Sequence, residues 1–187
     1  DTETFDKNPM QFTVVCTDVL TGQAVYHDIN HVDYDELEWL RASASMPLAS
    51  KVVKVQGHQL LDGGVSDSIP LEYFEQQGYD RNVVILTQPK GFVKEPNKLM
   101  PIMRLALRKY PDMVKALAER HMMYNQELAY VAKAEEEGRC LVIRPEGKIP
   151  IGHISHDPNK MRYVYELGRR VGERYIEQIK DFYKICE

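Results

Sequence analysis

Residues 60–86 constrain the fold of this chain more tightly than any other stretch. Leu60-Leu61 ends an apolar strand, and Asp62-Gly63-Gly64 follows at once. Pro70 then opens a helix at its first turn, where a missing N–H is harmless. Leu71 and Phe74 carry that helix to a stop at Gln77-Gly78. Val83-Val84-Ile85-Leu86 reads as a strand buried on both faces. A strand, a carboxylate loop, a helix and a second strand in succession favour a parallel sheet in an α/β fold.

The flanking segments carry plainer signals. Gln11–Val19 and Gln23–Ile29 are expected to pair as a hairpin across the Thr21-Gly22 turn. Asp33 with Glu36 marks a helix start that runs to Met46 and stops at Pro47. Val52–Val55 and Leu60-Leu61 form a second hairpin around Gly57-His58. Pro101 and Pro111 read as breaks. Beyond them, Met113, Val114, Leu117, His121, Leu128, Val131 and Ala132 keep helical spacing up to Gly138. Cys140–Ile143 is a strand. Asp157-Pro158 caps a last helix whose Met161, Val164, Tyr165, Val171, Tyr175, Ile176, Ile179 and Phe182 make one apolar stripe. Residues 1–187 read as one domain, helix-rich towards the C-terminus.

Composition excludes several classes. A net charge of −4 argues against a nucleic-acid partner. The longest apolar runs are too short for a transmembrane span. Cys16, Cys140 and Cys186 fit neither a disulfide framework nor a zinc site, so reduced thiols in a cytoplasmic protein are expected. No basic amphipathic helix stands out, because the last helix mixes Arg169, Arg170, Lys180 and Lys184 with glutamates. The chain begins with Asp1 and reads as an excised piece of a longer polypeptide.

Asp62 is the leading candidate for chemistry. The carboxyl end of a strand is where ligands and catalytic groups gather in open α/β sheets. Gly63 and Gly64 allow a sharp turn and a close backbone approach. An aspartate there can take a proton from a hydroxyl nucleophile, a service worth roughly 10²–10⁴ in rate. An ordinary aspartate, with a pKa of about 3.9, is a weak base and needs a tightly held partner. No such nucleophile is found. Gly64-Val65-Ser66 and Gly152-His153-Ile154-Ser155 lack the spacing of a nucleophile elbow, and Ser43 and Ser45 have no flanking glycine. His153, His156 and Asp157 could bind a metal, but a helix entry capped by Asp157 is the simpler reading. No metal or cofactor is expected.

Arg41-Ala42-Ser43-Ala44-Ser45-Met46-Pro47, followed by a hairpin and Asp62-Gly63-Gly64-Val65-Ser66-Asp67-Ser68-Ile69-Pro70, resembles the C-terminal half of patatin-like phospholipases. Arg108-Lys109-Tyr110-Pro111, Arg120-His121-Met122-Met123-Tyr124-Asn125, Glu136-Glu137-Gly138 and Val142-Ile143-Arg144-Pro145-Glu146 are similar to a bacterial single-domain subgroup. The resemblance implies a three-layer α/β/α sheet, incomplete at its N-terminal side. It also implies lipid acyl hydrolase chemistry by a Ser–Asp dyad, with Asp62 as the dyad aspartate and Gly63 and Gly64 as its supporting loop. The family's serine and oxyanion loop precede this region, so the isolated chain is expected to be inactive.

The implied partners are a lipid or ester substrate and no nucleic acid. Peripheral membrane contact, self-association, and pairing with a separate N-terminal part are all compatible with the sequence. The rival reading is a non-catalytic lipid- or protein-binding module on the same fold. Metal binding at His153 and His156 is a weaker third.

Overall fold

A computed structural model describes residues 1–152 and 155–184. The fold is mixed α/β, and its residues group into two compact units. The first comprises residues 1–70 and 94–127, the second residues 71–93 and 128–187. Among the described residues, no helix is long and apolar enough to cross a membrane.

The first unit begins with a short helix, α1 (Thr2–Lys7), and is built on a four-stranded sheet. Strands β1 (Thr13–Asp18) and β2 (Ala24–Asp28) form the expected hairpin. Strands β3 (Val53–Val55) and β4 (His58–Asp62) form the second. The β3–β4 turn is made by Gln56 and Gly57, not by Gly57 and His58, and both have positive φ. Two such residues twist the chain in the sense that paired strands need. β1 and β4 join the hairpins, giving the order β2-β1-β4-β3. Every pairing in this sheet is antiparallel, so the parallel arrangement expected around Asp62 is not the one formed here.

Alternation along β4 sends adjacent leucines to opposite faces. Leu60 packs with Val14, Cys16, Trp39, Ala42 and Val53. Leu61 packs with Val19, Val65, Met103, Met113 and Leu117. Trp39 and Ala42 come from helix α2 (Tyr34–Ser43). The second set draws on helix α4 (Met100–Ala106) and on the first part of helix α5 (Pro111–Glu136). The sheet is therefore covered by helices on both faces, which is the three-layer α/β/α arrangement. Each leucine fully removed from water contributes about 2 kcal/mol.

Local signals fix the helix ends. The Asp33 carboxylate accepts the Glu36 N–H at 2.9 Å and starts α2. Glu36 does not return the bond, as a capping box would. It is buried and pairs with His27 at 2.8 Å, whose ring stacks on Trp39. α2 ends at Ser43, earlier than the Pro47 stop implied. Pro101 and Pro111 break nothing: each lies in the first turn of its own helix, where no N–H is needed.

In the second unit, β5 (Asn82–Ile85) and β6 (Cys140–Ile143) pair in parallel, with Val84 opposite Val142. Helix α3 (Leu71–Gln76), the end of α5, and helix α6 (Pro158–Tyr183) complete it. Glu75 of α3 accepts hydrogen bonds from Tyr130 Oη and Arg139 Nη1. Two expectations fail here. Ile85 of β5 is 73% exposed, so the strand is not buried on both faces. Of the apolar stripe on α6, only Val171 is buried, while Met161, Tyr165 and Ile176 are exposed.

Candidate functional site

β4, an inner strand of the sheet, ends at Asp62, and the chain turns at once into a 3₁₀ turn, Gly63–Val65. The Asp62 backbone is held on both sides: its N–H donates to Ser45 O at 2.9 Å, and its carbonyl accepts from Thr17 Oγ1 at 2.8 Å. The carboxylate oxygen Oδ1 accepts the Gly64 N–H at 2.8 Å.

The two glycines serve different purposes, and neither needs a left-handed φ. A Cβ on Gly63 would lie 2.1 Å from the Val15 carbonyl oxygen, so the approach of β1 itself excludes any side chain. A Cβ on Gly64 would meet Asp62 Oδ1 at 3.0 Å and a terminal nitrogen of Arg120 at 3.3 Å. Gly64 thus keeps clear the space around the carboxylate. It also lines an open groove of about 400 Å³ with Val15, Ser43, Ala44, Asp67 and Ser68.

Every serine near Asp62 is committed elsewhere. Ser43 Oγ donates to Val15 O at 2.8 Å, Ser45 Oγ to Arg41 O at 2.7 Å, and Ser68 Oγ to Gly64 O at 2.7 Å. Ser66 Oγ shares a 2.8 Å bond with Thr17 Oγ1. Among the described residues, no serine hydroxyl is bonded to the Asp62 carboxylate. Cys16, opposite Asp62 in the β1–β4 register, is no substitute nucleophile. Burial, and then the Asp62 charge, push its thiol up to about 12, whereas a nucleophile must ionise near neutrality.

Two residues of α5 complete the loop, and sequence reasoning assigned neither of them. Arg120 Nε donates to Gly64 O. Glu127 Oε1 accepts the Ser68 N–H at 2.9 Å. With Tyr124 they stand at i, i+4 and i+7 and share one helix face. Glu127 Oε2 is buried with no hydrogen-bond partner among the described residues. Burial, reinforced by the Asp67 carboxylate, raises the Glu127 carboxyl well above the usual range, against the lowering effect of the Ser68 and Ile69 N–H groups. Asp67 in turn accepts from Tyr26 Oη at 2.5 Å.

The other candidates supply no further chemistry among the described residues. His121 Nδ1 faces the Ala118 carbonyl at 3.0 Å within its own helix. Met122 is exposed and fills no core space. His153 and Cys186 lie outside the described residues, and His156 is exposed. Among the described residues, no three His, Cys, Asp or Glu side chains are grouped to hold a metal.

The chemistry available is that of one fixed carboxylate, held by the N–H of a glycine that borders a groove. Comparison with known proteins places this geometry in a family context. Residues 7–75, which contain Asp62, Gly63 and Gly64, match the patatin-like phospholipase family, a family of lipid hydrolases. Residues 110–184, which contain Arg120 and Glu127, match a domain of unknown function, DUF6363. The chain is also similar to the uncharacterized protein YjjU of Escherichia coli strain K12. The two are 26% identical over 145 residues, 76% of this chain and 41% of that protein. The chain thus spans less than half the length of that relative.

Proposed function

We propose that this chain is the C-terminal part of one patatin-like domain of a lipid acyl hydrolase, in which Asp62 is the base of a Ser–Asp dyad. The observation that carries the reading is the Asp62 carboxylate at the end of β4, held by Gly64 N–H within the stretch that matches a lipid hydrolase family. The serine comes from residues outside 1–187. Its hydroxyl reaches Asp62 Oδ2, since Oδ1 already accepts Gly64 N–H. Oδ2 takes the proton as serine oxygen bonds to the ester carbonyl carbon. The alcohol leaves with that proton, and an acyl-serine remains. Water then attacks the acyl-serine and gives one proton to Asp62, which passes it to the departing serine oxygen as the carbon–oxygen bond breaks, releasing the acid and restoring the serine hydroxyl and the Asp62 carboxylate. The N–H donors that hold the oxyanion belong to the same outside segment. Without that segment the chain is inactive.

The groove lined by Gly64, Ser43 and Ala44 supports this arrangement, because Gly64, whose N–H holds the carboxylate, borders it. The substrate is a lipid or simple ester. The free thiols Cys16 and Cys140 favour a reducing compartment such as the cytoplasm.

The test is hydrolysis of short p-nitrophenyl esters by the full-length protein. Asp62→Asn keeps the shape and hydrogen bonds of the loop and removes the base. Its kcat falls by about 10³-fold or more with an unchanged melting temperature. Wild-type turnover by the Asn variant ends the proposal.

A further inference from the structure

Helix α4, with the residues that flank it at 98–99 and 107–110, presents two faces of opposite character. Met103 and Leu107 point inward and are buried with Met100 and Tyr110 against Leu61. Leu99, Ile102 and Leu105 point outward and are 50%, 56% and 71% exposed. They recur every three residues from the N-cap Leu99 onward, so they form one ridge along the outer side of the helix and its cap. Lys98, Arg104, Arg108 and Lys109, all exposed, flank this ridge. Residues 98–110 contain no aspartate or glutamate, in a chain whose net charge is −4. The nearest acids along the chain are Glu95 and Asp112. Among the described residues, none of the four cations is held in an ion pair.

From this geometry we infer that α4 is a membrane-docking element: its Leu99–Ile102–Leu105 ridge enters the surface of an anionic lipid bilayer, and Lys98, Arg104, Arg108 and Lys109 meet the headgroups. The charge pattern selects this occupant. A protein partner built on apolar contact alone would leave four cations to be desolvated around the patch. An anionic bilayer meets each with a phosphate or carboxylate, and its interface takes up partly inserted apolar side chains. The helix is also mechanically suited to the task. Its inner face is locked in the core, and Asn125 fixes the segment leading to it by accepting Lys94 N–H at 2.8 Å and donating to Lys94 O at 3.1 Å. The ridge therefore meets the bilayer in a fixed orientation, without a folding step.

The test is sedimentation of the full-length protein with vesicles of phosphatidylcholine containing about 30% phosphatidylserine. Binding does not require hydrolysis, so a catalytically dead protein tests the inference equally well. The protein is expected to bind these vesicles and to bind pure phosphatidylcholine vesicles at least about tenfold more weakly. The double variant Ile102→Glu/Leu105→Glu is expected to lower partitioning by about tenfold or more. Arg104→Ser/Arg108→Ser touches only exposed side chains and is expected to cost about fivefold per charge removed. It serves as the test should the first variant lose its fold. Unchanged partitioning of a folded double variant overturns the inference, as does equal binding to neutral vesicles. An oligomer in light scattering that the double variant splits also overturns it, because the ridge is then a contact between copies.

Discussion

The first unit covers its sheet on both faces, and the second leaves one side of its sheet and most of a long helix open. In the first, the β2-β1-β4-β3 sheet has helices on both faces, and Cys16, Trp39, Leu60 and Leu61 are sealed from water. In the second, Ile85 stands on the open side of a two-stranded sheet, and α6 buries only Val171. The difference teaches where single atoms matter. Where β1 and the loop after β4 meet, a methyl group on Gly63 has nowhere to go. On α6 a methyl group meets solvent, and backbone propensity decides its effect.

Glycine substitutions test this contrast most strongly. Gly63→Ala drives a methyl into the Val15 carbonyl of β1 and is expected to cost more than about 4 kcal/mol. Urea denaturation of the full-length protein checks it. A loss below about 1 kcal/mol would mean that the β1–β4 approach is not fixed. In the second unit the sign reverses. Nothing lies within 4 Å of a Cβ added at Gly168 or Gly172, both inside α6. Alanine at each is expected to stabilise by about 0.5–1 kcal/mol, the smallest effect predicted here, because it removes flexibility from the unfolded chain.

Between these lies Glu127. Its carboxyl is raised from an ordinary 4.5 to about 8, burial being the leading cause. Between those pH values the folded chain binds more protons than the unfolded chain, so stability falls as pH rises through that window. Glu127→Gln keeps an acceptor for Ser68 N–H and removes the titration. Its melting temperature is expected to exceed wild type by about 2–4 °C at pH 8 and to equal it at pH 4. A gap of the same size at both values would assign the effect to packing instead.

Local signals carried most of what the sequence made legible. The Asp33 and Asp157 caps, the two hairpins, strand β6 and the long α5 helix follow from residues within a few positions of one another. What was hidden depends on distant partners. The pairing of β1 with β4 joins Cys16 to Asp62, and no local pattern distinguishes that antiparallel contact from a parallel one. The continuous apolar run of β5 suggests full burial, but burial also needs covering elements, and Ile85 has none. Arg120 is 56 residues from the Gly64 carbonyl it holds, so its part in the site is invisible to spacing rules. Helix α4 was obscured by its own proline. Pro101 reads as a break until its place in the first turn is seen, and only then do the basic and apolar residues sort onto faces.

Cys16 gives the β1–β4 pair a chemical clock. Its sulfur is fully enclosed and its thiol barely ionises in the folded chain. A thiol reagent therefore waits for the two strands to part, and the rate of modification counts those openings. Because Asp62 sits opposite in the register, the same openings are the moments at which the carboxylate loses its alignment. The chain thus carries, one strand from its candidate acid, a residue whose silence reports that the acid is in place.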